Sequence, residues 1–353
     1  MFENTFISRT RWELGDKNWT IATNVKIPFQ FMGIKSQLKT GIKLKGLDFF
    51  ESFDTTFIDQ YDGSFTLADV VGTYSNPDIL GGLYDHGPFP STEASRDFVD
   101  ENFSQFSENV TRSREESDPP TFDTRQDIYA GYGMLYLQKN DLRLIAGLRY
   151  EQTELDYNAN ELVMDENGEY ISTTALSGSS SYGNLFPGIH GRYDTGKFSF
   201  VGSWSNTINR PDFNDVVPFR NINRESQSIR SGNPDLKPTL YTNYDFSIDY
   251  KLNGGKDVLS MELFYYTVED IGYYGISIVE EGPYMGYEYG THLNGPSGDV
   301  YGLRLIWSQS IGDWFSFTEG LSLNAQYRYQ ESETQYPGRP DMTMTMPCLL
   351  YTS

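Results

Sequence analysis

The chain has 353 residues, of which 49 are acidic and 27 basic, giving a formal charge of -22; this argues against nucleic acid, which needs a basic footprint. One cysteine, Cys348, excludes an internal disulfide and a thiolate metal site, and His86, His190 and His292 lie too far apart for a zinc-ligand spacing, so no metal and no cofactor is expected. Mean hydropathy is -0.52 and no run of about 18 apolar residues occurs, which excludes a transmembrane helix, so any membrane crossing must use strands.

Read from the N-terminus, Met1-Phe2-Glu3-Asn4 has neither the basic nor the apolar segment of a secretory signal, which leads us to expect an incomplete N-terminus. A first strand starts near Thr5, and Gly15-Asp16-Lys17-Asn18 reads as a short external loop after it. Trp19, Ile21, Thr23, Val25, Ile27 and Phe29 then occupy one face of a strand, followed by Ile34, Leu38, Ile42 and Leu44 on the next. Successive side chains of a strand point to opposite faces, so each such set defines one apolar side. Gly46 to Asp123 reads as a long polar connection, with Pro90 to Pro120 charged and suited to a short helix.

Leu142, Leu144, Ala146, Leu148 and Tyr150 make the next outward set, before a second long segment from Asp156 to Ser181. Phe198, Phe200 and Trp204 follow, and then a third long segment from Asn206 to Thr239. The cleanest alternation lies in Asn243 to Leu252, where Tyr244, Phe246, Ile248, Tyr250 and Leu252 oppose Asn243, Asp245, Ser247, Asp249 and Lys251. A fourth long segment, Glu269 to Asp299, precedes strands carrying Tyr301, Leu303, Leu305 and Trp307, then Leu321, Leu323, Ala325, Tyr327 and Tyr329. None of these outward positions is charged, as a lipid face requires. Met342 to Met346 is a further candidate strand.

Short turns fall at Gln30 to Gly33, Lys139 to Asp141, Asp194 to Lys197, Asn253 to Asp257 and around Gly312-Asp313, where Gly, Asn and Asp tolerate positive φ. Short and long connections therefore take turns, apart from the first hairpin at Gly15. That asymmetry belongs to outer-membrane barrels, with short periplasmic turns and long extracellular loops.

Other motifs lose to plainer readings. Gly131-Tyr132-Gly133 lacks the third glycine and helix of a nucleotide loop. Asp165-Glu166-Asn167-Gly168-Glu169 lacks full calcium-loop spacing and reads as a hairpin tip. Gly178-Ser179-Ser180-Ser181 is not a nucleophile elbow, and nothing points to an enzyme. Tyr273, Tyr274, Tyr284, Tyr287 and Tyr289, with Glu280 and Glu281 between them, form an aromatic group in an external loop, able to stack on a ligand or simply on one another. Lys35, Lys39, Lys43, Lys45, Arg143, Arg149 and Arg328 face the lumen, solvated or paired with lumen carboxylates.

The run Asn209-Arg210-Pro211-Asp212-Phe213 to Pro218-Phe219-Arg220, then Ser231-Gly232-Asn233-Pro234-Asp235-Leu236-Lys237-Pro238 and Asn243-Tyr244-Asp245, resembles the signature of TonB-dependent outer-membrane receptors. Leu148 to Thr153, Phe186-Pro187-Gly188, Leu263 to Tyr266 and Gly298 to Leu303 are similar blocks; Arg304 stands where the family often has an acidic residue. Arg210, Pro211, Pro218, Gly232, Asn233, Pro234, Leu236, Lys237 and Pro238 are read as shaping a loop that returns to the membrane, the prolines fixing φ before the strand.

The resemblance implies an all-β fold: an antiparallel transmembrane barrel fragment with about 11 to 12 of some 22 strands. Residues 1–346 would be the partial barrel domain, and Pro347-Cys348-Leu349-Leu350-Tyr351-Thr352-Ser353 a tail foreign to it. It also implies a Gram-negative outer membrane, lipid around the barrel, a small scarce solute as ligand, and TonB as a partner acting through an N-terminal plug region that this chain lacks. A siderophore, cobalamin, an oligosaccharide and a peptide all remain open as solutes. A passive porin or adhesion-loop barrel shares the strand argument. A secreted carbohydrate-binding β-sandwich is a further alternative, expected to be soluble without detergent.

Overall fold

The computed structural model describes residues 7–79, 81–165, 167–255, 257–310 and 320–334. Ten long strands make one sheet: β1 (Ile7–Phe31), β2 (Ile34–Tyr61), β3 (Phe122–Lys139), β4 (Leu142–Met164), β5 (Tyr170–Asp194), β6 (Phe198–Asn209), β7 (Thr239–Leu252), β8 (Asp257–Glu269), β9 (Gly298–Ser310) and β10 (Ser322–Glu333). Each pairs antiparallel with its neighbour in the chain, an up-and-down order in a single sheet. A sandwich would build its core between two facing sheets of long strands, and all ten long strands here lie in one sheet, which does not favour that alternative. The short segment Phe106–Glu108 pairs onto the upper part of β2.

The turns explain the order. Met32 and Gly33 both take positive φ, 50° and 78°, which lets a two-residue hairpin join β1 and β2 with the twist strands prefer. Asn140 (49°), Gly196 (82°) and Asn253 (47°) do the same at the other short connections on this end. The opposite end carries the connections 62–121, 165–169, 210–238 and 270–297.

Several expected boundaries move. Gly15 to Asn18 is not a loop but lies inside β1, paired with Phe50 to Leu47 of β2. The expected first two strands are therefore one, ten long strands stand among the described residues instead of eleven, and the exception expected at Gly15 disappears. Likewise Leu47–Tyr61, Asp156–Met164 and Tyr170–Ser181 are strand and not loop, so the connection between β4 and β5 shrinks to a hairpin tip at 165–169. The turn expected at Gly312-Asp313, the candidate strand at Met342 and the tail lie outside the described residues.

One cause underlies these shifts: the apolar face of a strand changes side partway along it. On β4, Leu144, Leu148 and Tyr150 point outward and are exposed, whereas Leu155, Tyr157 and Ala159 point inward and are buried. On β2 the outward Leu38 and Ile42 give way to the inward, buried Phe57, and on β1 the outward Ile21 and Val25 give way to Trp12, opposite Phe53. Below the change the sheet meets lipid. Above it the strands continue as a water-facing sheet whose core lies on the inside.

Across the lipid-facing part, in-register rows are uniformly apolar. Phe246, Leu263, Leu303 and Tyr329 form one row, and Ile248, Met261, Leu305 and Tyr327 the next. Trp204, Tyr244, Tyr265 and Tyr301 border them above, and Phe198, Tyr250, Leu259 and Trp307 below, as aromatic girdles border a bilayer.

Candidate functional site at the loop-roofed end

The extended strands β1 to β5 carry a structured roof. Helix α1 (Thr92–Glu101) is capped by Ser91, whose side chain accepts from Ala94 N, and helix α2 (Val110–Ser117) by Asn109, which accepts from Arg112 N. Above Glu51, β2 has lost its partner β3, leaving backbone donors bare. Ser113, Ser117 and Thr121 fill the gap: their hydroxyls accept from Phe57 N (2.8 Å), Thr55 N (2.8 Å) and Phe53 N (2.9 Å). Four helical residues rise about 6 Å and two strand residues about 6.6 Å, so hydroxyls every fourth residue match every second amide.

Glu115 of α2 is 2% exposed, and both its carboxylate oxygens accept hydrogen bonds, from donors on two separate loops. Arg224 donates through Nε (2.7 Å) and through its terminal nitrogen (2.6 Å), and Tyr284 donates its hydroxyl at 2.7 Å. Burial first, then the carboxylate partner, pushes the Tyr284 hydroxyl far above the usual tyrosine range. The hydrogen bond to Glu115 raises Arg224 in turn. One carboxylate thus joins the connections 62–121, 210–238 and 270–297.

The family-like block packs beneath. Short helix α3 (Phe213–Val216) and Val217, Phe219 and Leu236 fill the inward apolar face, Val217 and Phe219 against Phe122, Tyr157 and Ala159, and Val216 and Leu236 against Leu155. A Cβ on Gly232 would stand 2.0 Å from the Val217 carbonyl oxygen, so only glycine permits this approach. Arg210 ties the loop to β4, bonding Glu151 at 2.6 Å and Thr153 at 3.2 Å. Asn233 donates its backbone N–H to Asp215 O (2.7 Å) and its side chain to His292 O (3.0 Å), and Lys237 N reaches Asn294 Oδ1 at 2.8 Å. Pro211 follows Arg210, Pro218 and Pro234 border a cleft, and Pro238 directly precedes β7.

That cleft, about 290 Å³, lies between the tops of β4 and β5 and a four-stranded loop sheet made of Arg220–Asn223, Ser228–Ser231, Glu288–Asn294 and Gly272–Ile278. Tyr289, Thr291 and Leu293 line it from the loop sheet, Arg220 and Glu161 stand 3.6 Å apart at its side, and the Thr291 hydroxyl is buried without a partner. Asp215, beside it, pairs with His292 Nδ1 at 2.9 Å; burial raises its carboxyl above the usual range against the pull of His292.

The five tyrosines do not converge. Tyr289 lines the cleft and Tyr284 is spent on Glu115, with Tyr287 5.6 Å away centroid to centroid. Tyr274 stacks edge-on with His292 at 5.2 Å on the other, exposed face of the loop sheet, and Tyr273 shares the face of Leu293. Composition alone missed Glu115, Arg224, Arg220 and Thr291, because long-range loop pairing leaves no local period.

On the inner face lower down, the arginines are paired: Arg149 with Glu151 (2.6 Å), Arg143 with Asp194 (3.5 Å) and Arg304 with Glu262 (2.6 Å), while Arg328 lies over the Phe264 ring at 5.0 Å.

The outward apolar rows, girdles and one-sided loops define an outer-membrane β-barrel protein of a Gram-negative cell. The chain belongs to the outer membrane protein beta-barrel family, whose model matches residues 92–345. Among solved structures, the chain is similar to the ferric-catecholate import receptor Fiu from E. coli K12 in its closed form, with a TM-score of 0.51 and 14% identity over 84% of this chain and 36% of that one. It is similar to the unliganded ferric citrate transporter FecA (TM-score 0.51, 11% identity, 94% and 38% covered) and to the copper transporter OprC (0.50, 13%, 91% and 39%). This chain thus spans well under half the length of those proteins, and the likeness bears out the receptor-barrel fold read from the Gly232 block. No curated protein matches it.

Proposed function

We propose that residues 1–346 are part of the barrel of an outer-membrane uptake receptor, taking a scarce solute at its external loops and passing it inward with energy delivered through TonB. The observation that carries this reading is the roof. Loops that bury Val217 and Phe219 on the inner face and lock together at Glu115 form a shaped cleft over the lumen, where a passive pore needs an open mouth. The solved proteins of this fold are import receptors and transporters, which supports a transport role and no covalent chemistry. We assign Tyr289, which lines the cleft, as the ligand-facing member of the tyrosine group, and the Arg210, Pro218 and Gly232 to Pro238 residues to loop architecture.

Growth of a deletion strain under iron, cobalamin or oligosaccharide limitation tests the reading. A defect under one limitation, reproduced by removing the energising system, is the expected result. Normal growth under all three, with steady ion conductance of the purified protein in a planar bilayer, returns the porin reading.

A further inference from the structure

Pro187 ends the pairing of β5 with β6. Gly188 to Asp194 match Ser205 to Ser199, and beyond them β6 keeps β7 as its partner while β5 continues beside β4 alone. Proline has no N–H to give, which explains where the two strands part. Helix α2 closes the far end of β5, where Thr111 Oγ1 accepts from Tyr170 N at 3.1 Å and Asp118 accepts from the Thr173 hydroxyl. Between these limits, over 174–186, every second residue turns its backbone N–H and C=O away from β4. Among the described residues, no backbone hydrogen bond from this stretch reaches any other segment.

Proteins ordinarily blunt such an edge with lysine, proline, a bulge or a cover. The upper edge of β2 follows that rule, with Ser113, Ser117 and Thr121 on its amides and Phe106–Glu108 beside it. The edge of β5 has none of these devices. In a chain with 22% charged residues, 174–186 contains no charge and no proline, and its register with β4 runs without a shift. Its outward side chains, Ser177, Ser179, Ser181 and Gly183, are short and exposed. A larger barrel adds strands beyond β1 and β10, the two ends of the sheet, and none between β5 and β6.

The next strand sets the charge of an occupant. Glu154 and Asp156 of β4 point outward, are exposed, and form no ion pair among the described residues; their register partners are Ser181 and Ser179. A strand added to β5 stands two strand spacings from them, about 10 Å, a gap that a lysine or arginine bridges over serine. A second copy of this chain does not fit. Copies in one membrane share their orientation, so their β5 strands run parallel, whereas a two-fold pairing of edges needs antiparallel strands.

We propose that the 174–181 edge takes an extended basic segment of a partner protein as an added strand, with alternate lysines or arginines over Glu154 and Asp156. The proposal goes beyond the uptake reading and needs no part of it.

The test uses the full-length protein in phosphatidylcholine nanodiscs, titrated with a short peptide of alternating Lys and Val. Two control peptides accompany it: one with Glu in place of Lys, and a fully N-methylated copy that keeps the charge and loses every backbone donor. Both controls are expected to bind at least about tenfold more weakly, since one loses the charge match and the other the main-chain bonds. The basic peptide should slow amide exchange within 174–181 and leave Phe53, Thr55 and Phe57 unchanged. All substituted positions are exposed. The double variant Glu154→Gln, Asp156→Asn is expected to weaken binding about threefold, as exposed ion pairs do. Placing charge on the edge itself, with Ser179→Lys and Ser181→Lys, should weaken it at least about tenfold. Equal affinity for the N-methylated copy overturns the proposal, because charge alone then holds the peptide. So do amides of 174–181 that are all protected before any peptide is added, since another segment of the protein then fills the edge.

Discussion

Tyr150 and Tyr157 sit on the same strand and face opposite surroundings. Tyr150 points outward and is half exposed where the sheet meets lipid, and Tyr157 points inward, 9% exposed, under Phe219 and Val217. The lower half of the sheet puts its apolar side chains outward because its solvent is hydrocarbon, and the upper half puts them inward because its solvent is water. The lesson is that this is one sheet serving as two proteins, a membrane wall and a soluble scaffold for loops, joined by strands of up to 28 residues where about 9 to 11 suffice to cross a bilayer.

Substitutions should separate the two halves. The largest effect is expected for Val217→Asp, which buries an unpaired charge at a fully enclosed position and should cost roughly 3 to 5 kcal/mol of loop docking. Protease cleavage within 210–238 is the readout, with the lower barrel still resisting denaturation by detergent. Collapse of both halves together would break the comparison. Next comes Leu148→Arg on the lipid face, expected to cost about 2 to 4 kcal/mol in unfolding from lipid vesicles, while loop cleavage stays at the wild-type rate.

Removing the charge of the loop junction by Glu115→Gln should cost about 1 to 3 kcal/mol, since Arg224 then faces a weaker acceptor. Hydrogen exchange should rise in all three connections at once; a rise in only one would show that the junction does not couple them. The same junction carries a pH signature. Tyr284 has its hydroxyl pKa raised in the folded state, so its contribution is complete below about pH 10, the ordinary tyrosine value, and declines as pH climbs above it. Loop protection should therefore fall on the alkaline side, and Tyr284→Phe should abolish that dependence. The smallest effect, within about 0.5 kcal/mol, is expected for Asp156→Asn on the exposed outer side of upper β4.

Much of the lower half was legible. Rows such as Tyr244, Phe246, Ile248 and Tyr250 state their face directly, and Gly33 and Gly196 mark the turns. The upper half was misjudged because a strand that swaps its apolar side looks, to a reader of alternation, like a strand that stops. Gly15 to Asn18, Gly46 and Asp156 all mark the swap, and each was taken for a loop. The Gly232 block was recognisable as a unit from its prolines. Its reason, the 2.0 Å approach to Val217, depends on a neighbour that no spacing rule predicts. The tyrosine group was visible as composition, yet its division between the Glu115 junction, the cleft and the open face depends on the register of Gly272–Ile278 with Glu288–Asn294.

The row of hydroxyls at Ser113, Ser117 and Thr121 has a consequence for the rim of the wall. Because a helix can occupy the vacant edge of β2, adjacent strands need not end at the same height, and the rim can be cut as a staircase without offering a sticky step to a second molecule. A stepped rim gives each loop its own starting level, so the external connections can change length one at a time while the wall below stays as it is.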